Sequence, residues 1–283
     1  MKGEDHFGML FSVHFLEWNK IVKHITHELL GHIEIGQPVE EAVNAGIEEI
    51  IFITSHTKIA IENHFDSNFE LEEKLSKNNK HEFIPLINPE KFKNVRFTYV
   101  RQKSQRGLGD AIAQASHLIN DNAFAVLLAD DLIFSETSCL QQLIDIYKNT
   151  SASVIGINEV PKSDVSKYGV IEAVNEDSEL KIIDIIEKPD ISDAPSNLAV
   201  VGRYVLDSDI FNYLKKVEED SSNEIQLTDA IKLMLRDKDV FGCKYIGTKF
   251  DCGSKKGFVA ATLYKGLQDE QIRQEINKII GKA

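Results

Sequence analysis

The sequence predicts an α/β protein built on a mixed, mostly parallel sheet flanked by helices, with a smaller inserted β-rich lobe. Three observations carry this. Apolar runs of strand length recur through the first half of the chain. Helical patterns separate them, and such alternation marks a parallel sheet with helices on both faces. In the second half two strand-like runs are joined only by "NEDSE", too short for a parallel crossover, so that pair is antiparallel. No linker divides the chain, so residues 1–283 are read as one domain, with the lobe over about 160–250.

The elements follow in order. "EEIIFIT" (48–54) is the first clear strand, and "HTKIAIENHF" (56–65) a helix with Ser55 as its N-cap. "RFTYVRQ" (96–102) is a strand and "GLGDAIAQASHLI" (107–119) a helix. "FAVLLAD" (124–130) is a strand. The helix "ETSCLQQLIDIYKN" (136–149) follows, with Leu140, Leu143, Ile144 and Tyr147 on one face. "ASVIGINEV" (152–160) closes the alternating half. "YGVIEAV" (168–174) and "LKIIDIIEKP" (180–189) form the antiparallel pair, and "LAVVGRYVL" (198–206) is a further strand. Helices are expected over 207–217 and 223–237, a strand over 239–247, and a largely helical tail over 255–282.

Bulk properties narrow the function. The chain carries 45 acidic and 32 basic residues, a net charge of -13, and no Lys/Arg block, which argues against nucleic acid as a partner. Cys139, Cys243 and Cys252 make no metal-ligand spacing and no disulfide framework, so a reducing cytoplasm is expected. No stretch approaches ~20 uninterrupted apolar residues, so no membrane span is expected. An acidic protein handling phosphates must hold them by local devices: a metal, a single lysine or backbone N–H groups.

One stretch asks for such chemistry. In "VLLADDLIF" (126–134) an apolar strand runs straight into Asp130 and Asp131. Burying a carboxylate is costly unless it is paired or holds a metal. The plain alternative is that the strand ends and the acids face water. Ligands of open α/β sheets bind beyond the carboxyl ends of strands, which is where this pair stands.

The blocks "EEAVNAGIEEIIFIT", "YVRQKSQRGLGDAI", "FAVLLADDLI", "SKYGVIEA", "IIEKP", "SNLAVVGRYVL", "EIQLTDAI" and "FDCGSKKGF", in this order and spacing, resemble the bacterial UTP–glucose-1-phosphate uridylyltransferases (UDP-glucose pyrophosphorylases) of the sugar nucleotidyltransferase superfamily. The likeness runs from about Val39 to Leu267. It implies a Rossmann-like fold of the nucleotide-diphospho-sugar transferase type. The implied reaction is attack of glucose 1-phosphate on the α-phosphorus of UTP, giving UDP-glucose and pyrophosphate. Such chemistry rests on positioning and charge stabilisation. The resemblance further implies Mg2+ as cofactor, held by Asp130 and Asp251 with Asp131 beside them. It places Lys188 on the sugar phosphate and the reacting α-phosphate, making Lys188 and Asp130 the catalytic pair. It gives Glu187 to the glucose hydroxyls, while Gly169 either lets the backbone approach the sugar closely or is a plain turn glycine. Gln102 and Gly107 are implied to read the uracil edge, the amide donating and accepting together. Glu224 and Asp229 match a family block and are equally read as capping and packing residues. The resemblance also implies a homo-oligomer.

The first 38 residues depart from the family pattern, which opens on a strand and a G-x-G-T-R loop that wraps phosphates. No G-x-G occurs there: Gly3, Gly8, Gly31 and Gly36 are isolated. Losing one comparable donor costs ~2.7–4 kcal/mol of transition-state stabilisation. Three explanations compete: a damaged copy with a shifted frame or altered gene start, a paralogue that binds UDP-sugar without turnover, or Lys20 and Lys23 supplying the missing charge. Five histidines also lie here: His6, His14, His24, His27 and His32. "HELLGH" has one residue too many for a zinc helix, since His27 and His32 would point about 140° apart.

Overall fold

The computed structural model describes residues 8–12, 36–55, 58–87, 89–120, 123–176 and 178–281. Strands β1 (Gly8–Ser12), β2 (Glu49–Thr54), β3 (Arg96–Arg101) and β4 (Ala123–Leu128) pair in parallel in the order β3-β2-β1-β4. Two short strands follow in sequence, β5 (Asp131–Phe134) outside this sheet and β6 (Ser153–Glu159) within it. The sheet continues from β4 through β9 (Leu198–Asp207), β6, β10 (Val240–Lys244), β8 (Glu179–Glu187) and β7 (Gly169–Glu176). Besides the four-strand half, β6 and β10 alone among the described residues pair in parallel; the remaining pairings of this sheet are antiparallel. β7 and β8 form the expected hairpin and lengthen the main sheet at its far end. β5 pairs antiparallel with β11 (Thr248–Asp251) as a separate two-stranded sheet.

Strand alternation builds the two cores. Ile51, Ile53, Phe124 and Val126 enter one cluster, and Ile50, Phe52, Ala125 and Leu127 the other, as the period-2 geometry of a strand buried on both faces requires. The first cluster is covered by α5 (Gly107–Gln114), α7 (Ile210–Leu214) and α8 (Leu227–Met234). The second is covered by α1 (described over 36–44), α2 (Ile59–Phe65) and α6 (Cys139–Thr150). In α6 Leu140, Leu143 and Ile144 are buried as the spacing predicts, and Ser138 accepts from Gln141 N–H as its cap. Away from these cores stand α3 (Phe69–Lys77), α4 (Ile84–Ile87) and two C-terminal helices, α9 (Lys255–Gly266) and α10 (Glu270–Ile280).

The structure departs from the sequence reading at several ends. β1 was not foreseen, because Met9–Phe11 is too short a run to declare a strand without its neighbours. α2 begins at Ile59, with Lys58 rather than Ser55 at its N-cap position. The helices expected over 207–217 and 223–237 shrink to α7 and α8. Before α8 the Asp220 carboxylate takes the N–H groups of Ser222 and Glu224 and the Gln226 amide. That side-chain turn outcompetes helix. Among the described residues no helix is long and apolar enough to cross a membrane.

Candidate active site

The chain turns at Ala129–Asp130 between β4 and β5, and β11 returns beside β5 with Asp251 opposite Asp131. The Cys252 N–H donates to the Asp130 carbonyl at 2.7 Å, locking the two loops together. A Cβ on Gly253 would sit 3.0 Å from Asp251 Oδ1 and 3.4 Å from Asp130 Oδ2. The two carboxylates therefore flank the same glycine, whose N–H donates to Asp251 Oδ1 at 3.0 Å. Burial first, then the charge of Asp131, raises the Asp130 carboxyl to about 7, and Asp251 adds to this. Lys249 offsets only part of this, and a divalent cation would supply the remaining countercharge.

Asp131 is engaged differently. Its Oδ2 accepts from Gly202 N–H at 2.7 Å, and its Oδ1 pairs with Lys249 Nζ at 2.9 Å. Lys249 lies diagonal to Asp131 across the β5–β11 pair and over the Tyr168 ring at 5.0 Å. Burial opposes the charge on Lys249, but Asp131 overrides it and raises its pKa. Behind the turn, Arg203 is fully buried and bound to Glu41 at 2.9 Å. It donates to the carbonyls of Leu128 at 3.1 Å, Asp131 at 2.8 Å and Gly202 at 2.9 Å. One guanidinium thus grips the backbone on both sides of Asp130. Glu41 also accepts from Leu140 N–H at 2.9 Å, so no lone pair of this buried pair is wasted on apolar surroundings.

Lys188 and Glu187 stand at the end of β8, where Gly169 faces Glu187 in register. The Lys188 N–H donates to the Tyr168 carbonyl at 3.0 Å, so Tyr168 links this pair to Lys249 and the carboxylates. Lys188 has φ +42°, a left-handed conformation for a side chain that precedes proline. Such backbone costs ~1–2 kcal/mol and concentrates at functional sites. Glu187 Oε2 accepts from Thr228 Oγ1 at 3.0 Å, and Oε1 lies 3.5 Å from Lys188 Nζ. Gly169 is needed here for space: a Cβ would meet the Thr228 methyl at 2.8 Å and Glu187 Oε2 at 3.3 Å. Glu187 and Lys188 line a cavity of about 360 Å³ with Asp220, Gln226 and Asp229. Burial raises the Asp229 pKa.

Gln102 follows β3 as Asp130 follows β4, so both lie at the carboxyl edge of the parallel half with β2 and β1 between them. Three strand spacings, ~14 Å, separate those two strands. Gln102 is buried, and its Nε2 donates to Asp110 Oδ2 at 2.7 Å. Its amino group is thus engaged within the protein, which narrows the expectation that the amide could donate and accept together at the uracil edge. Gly107 opens α5 with φ +85° and would press a Cβ against the Ile225 carbonyl at 2.8 Å. Gly109 N–H donates to that same carbonyl at 2.9 Å, tying the Gln102 region to the segment that leads into Thr228.

The sequence reading missed Glu41, Arg203, Lys249, Thr228 and Asp110. Arg203 had a signal, a charge inside the apolar run "VVGRYVL", but its partners lie far away in the chain. The histidines of residues 1–38 and Lys20 and Lys23 fall outside the described residues, as does the stretch 13–35 that follows β1.

Comparisons with known proteins establish the family. The nucleotidyl transferase family model matches residues 31–265. The UTP–glucose-1-phosphate uridylyltransferase of Staphylococcus epidermidis is 44% identical over 244 residues, 86% of this chain and 84% of the relative. Its counterpart from Staphylococcus haemolyticus is 43% identical with the same coverage. Among solved structures, a UDP-glucose pyrophosphorylase complexed with UDP-glucose superposes with a TM-score of 0.80 at 36% identity, covering 93% of this chain and 100% of that one. The UTP-bound enzyme from Acinetobacter baumannii gives 0.85 at 34% identity, covering 97% and 98%. Relatives this similar over this much of their length leave one conclusion: the chain belongs to the nucleotidyl transferase family, among the UTP–glucose-1-phosphate uridylyltransferases.

Proposed function

We propose that this protein transfers a uridylyl group from UTP to glucose 1-phosphate, releasing pyrophosphate, with Mg2+ bound by Asp130 and Asp251. The observation that carries the proposal is the convergence of those two carboxylates beside Gly253. Two hard oxygen ligands suit Mg2+, which completes its shell with water and substrate phosphate. Asp131 is the poorer ligand, since a lysine and a backbone N–H already occupy its oxygens. When bound, the metal neutralises phosphate charge as it develops.

The remaining work belongs to side chains. Lys188 offers a point charge to the sugar phosphate and the α-phosphate, its backbone aimed by the strained turn. Glu187 offers Oε1, which also lies near Lys188 Nζ, to the glucose hydroxyls while Thr228 holds Oε2. Gly169 admits the sugar, and Gln102 with the Gly107 backbone meets uracil. The lobe at about 160–250 is the sugar side of the site. The family model and the curated relatives support transfer over the alternative of a copy that binds without turnover. A cytoplasmic homo-oligomer remains part of the same proposal.

The test is pyrophosphate release from UTP and glucose 1-phosphate in the presence of Mg2+. Wild-type protein is expected to release it well above an Asp130→Ala control. A rate equal to that control would reject the proposal.

A further inference from the structure

The Gln102 amide is not free to read a base with both ends. Its Nε2 donates to Asp110 Oδ2 at 2.7 Å and reaches the Gly107 carbonyl at 3.4 Å, so both amino hydrogens point into the protein. Asp110 is buried, ion-paired to Arg106 Nη2 at 2.7 Å, and accepts from Gln114 Nε2 at 3.3 Å. A carboxylate held by a guanidinium accepts and does not donate. Turning the Gln102 amide over would set Oε1 against Asp110 Oδ2, acceptor facing acceptor. Among the described residues the sealed side-chain polar atoms without a partner are Gln37 Oε1 and Tyr245 OH. Among the described residues none donates to Gln102 Oε1, and it is not one of the sealed atoms, so it is left open to a ligand.

We propose that Asp110 sets the pyrimidine specificity of the site by locking the Gln102 amide with its oxygen toward the base. This rests on the functional reading above and deepens it. An outward acceptor demands an N–H on the base edge. Uracil has one at N3, whereas cytosine presents a bare N3 and meets the site acceptor to acceptor. At the start of α5 Gly109 N–H is taken by the Ile225 carbonyl, and the N–H groups of Gly107 and Leu108 before it supply the donor for an adjacent base carbonyl. The lock excludes cytosine but not thymine, which shares the N3 hydrogen. Asp110 touches no substrate atom, so it is a positioning residue.

Calorimetric titration of UTP and of CTP, both with Mg2+, into the full chain and its variants tests this. Wild type is expected to bind UTP at least roughly tenfold more tightly than CTP, since an unmatched buried acceptor discriminates strongly. Asp110→Asn can donate to a turned amide, so it should bring the two affinities to within about threefold, with CTP gaining. Arg106→Gln should keep the wild-type ratio, because the carboxylate still only accepts. Asp110→Ser, which can also donate, is the second probe should the Asn variant fail to fold. A folded Asp110→Asn or Asp110→Ser protein with the wild-type ratio overturns the proposal. So does Arg106→Gln with a collapsed ratio, because general loosening would then explain the effect. Gln102→Ala that binds UTP as wild type does, or wild type that binds neither nucleotide, overturns the functional reading and this inference with it.

Discussion

Asp130→Asn tests whether the carboxylate pair is a cation site, and it does so through stability rather than turnover. In metal-free protein the Asp130 carboxyl is raised to about 7, against about 3.9 in an unfolded chain. The folded state therefore binds more protons between those values. The stability this contributes is complete below about pH 4 and is lost as pH rises through 7. At about 1.36 kcal/mol per pH unit, the full loss is about 4 kcal/mol, an upper figure because the turn can relax and admit water. An Asn cannot ionise and keeps the low-pH state at all pH. The variant should thus melt with wild type near pH 4 and exceed it by several degrees at pH 8, at ~2 °C per kcal/mol for a chain of this size. Thermal unfolding in EDTA across pH 4–8.5 measures this. Added Mg2+ should stabilise wild type and not the variant, closing the gap. A difference between the two proteins that does not change with pH, or a gap that Mg2+ leaves untouched, refutes the reasoning.

Other expectations follow from the same geometry. Lys188→Ala should lose roughly 10–100-fold in affinity for glucose 1-phosphate, as charge-assisted contacts do, while uridine binding holds; equal losses in calorimetry would contradict the assignment. Gly253→Ala places a methyl between Asp130 and Asp251 and should weaken Mg2+ binding about tenfold, a modest overpacking effect, with the EDTA melting temperature little changed. An unaltered Mg2+ titration would remove the cation from that space. Arg203→Met strands Glu41 as a buried charge and should cost ~3–5 kcal/mol of stability, read as a melting drop of ~6–10 °C. A drop under ~2 °C would mean the pair is not needed to hold the Asp130 turn.

What the sequence determined by itself is what local pattern can carry. Period-2 apolar runs and the blocks from Val39 to Leu267 were enough for the α/β class, the family and the candidate residues from Gln102 to Asp251. They were enough because alternation and loop chemistry are properties of a few neighbouring residues. β1 lay beyond that reach, since five residues become a strand only when β2 and β4 stand on either side. The same holds for the choice between Asp130 and Asp131. They are adjacent and chemically identical in the sequence, and only Lys249 and the Gly202 N–H, brought in by β11 and β9, engage Asp131 and leave its neighbour facing Asp251. The direction of the Gln102 amide was likewise open until folding set Asp110 against one end of it. A side chain's identity is written in the chain, but which of its atoms remains free depends on partners that arrive from elsewhere in the fold.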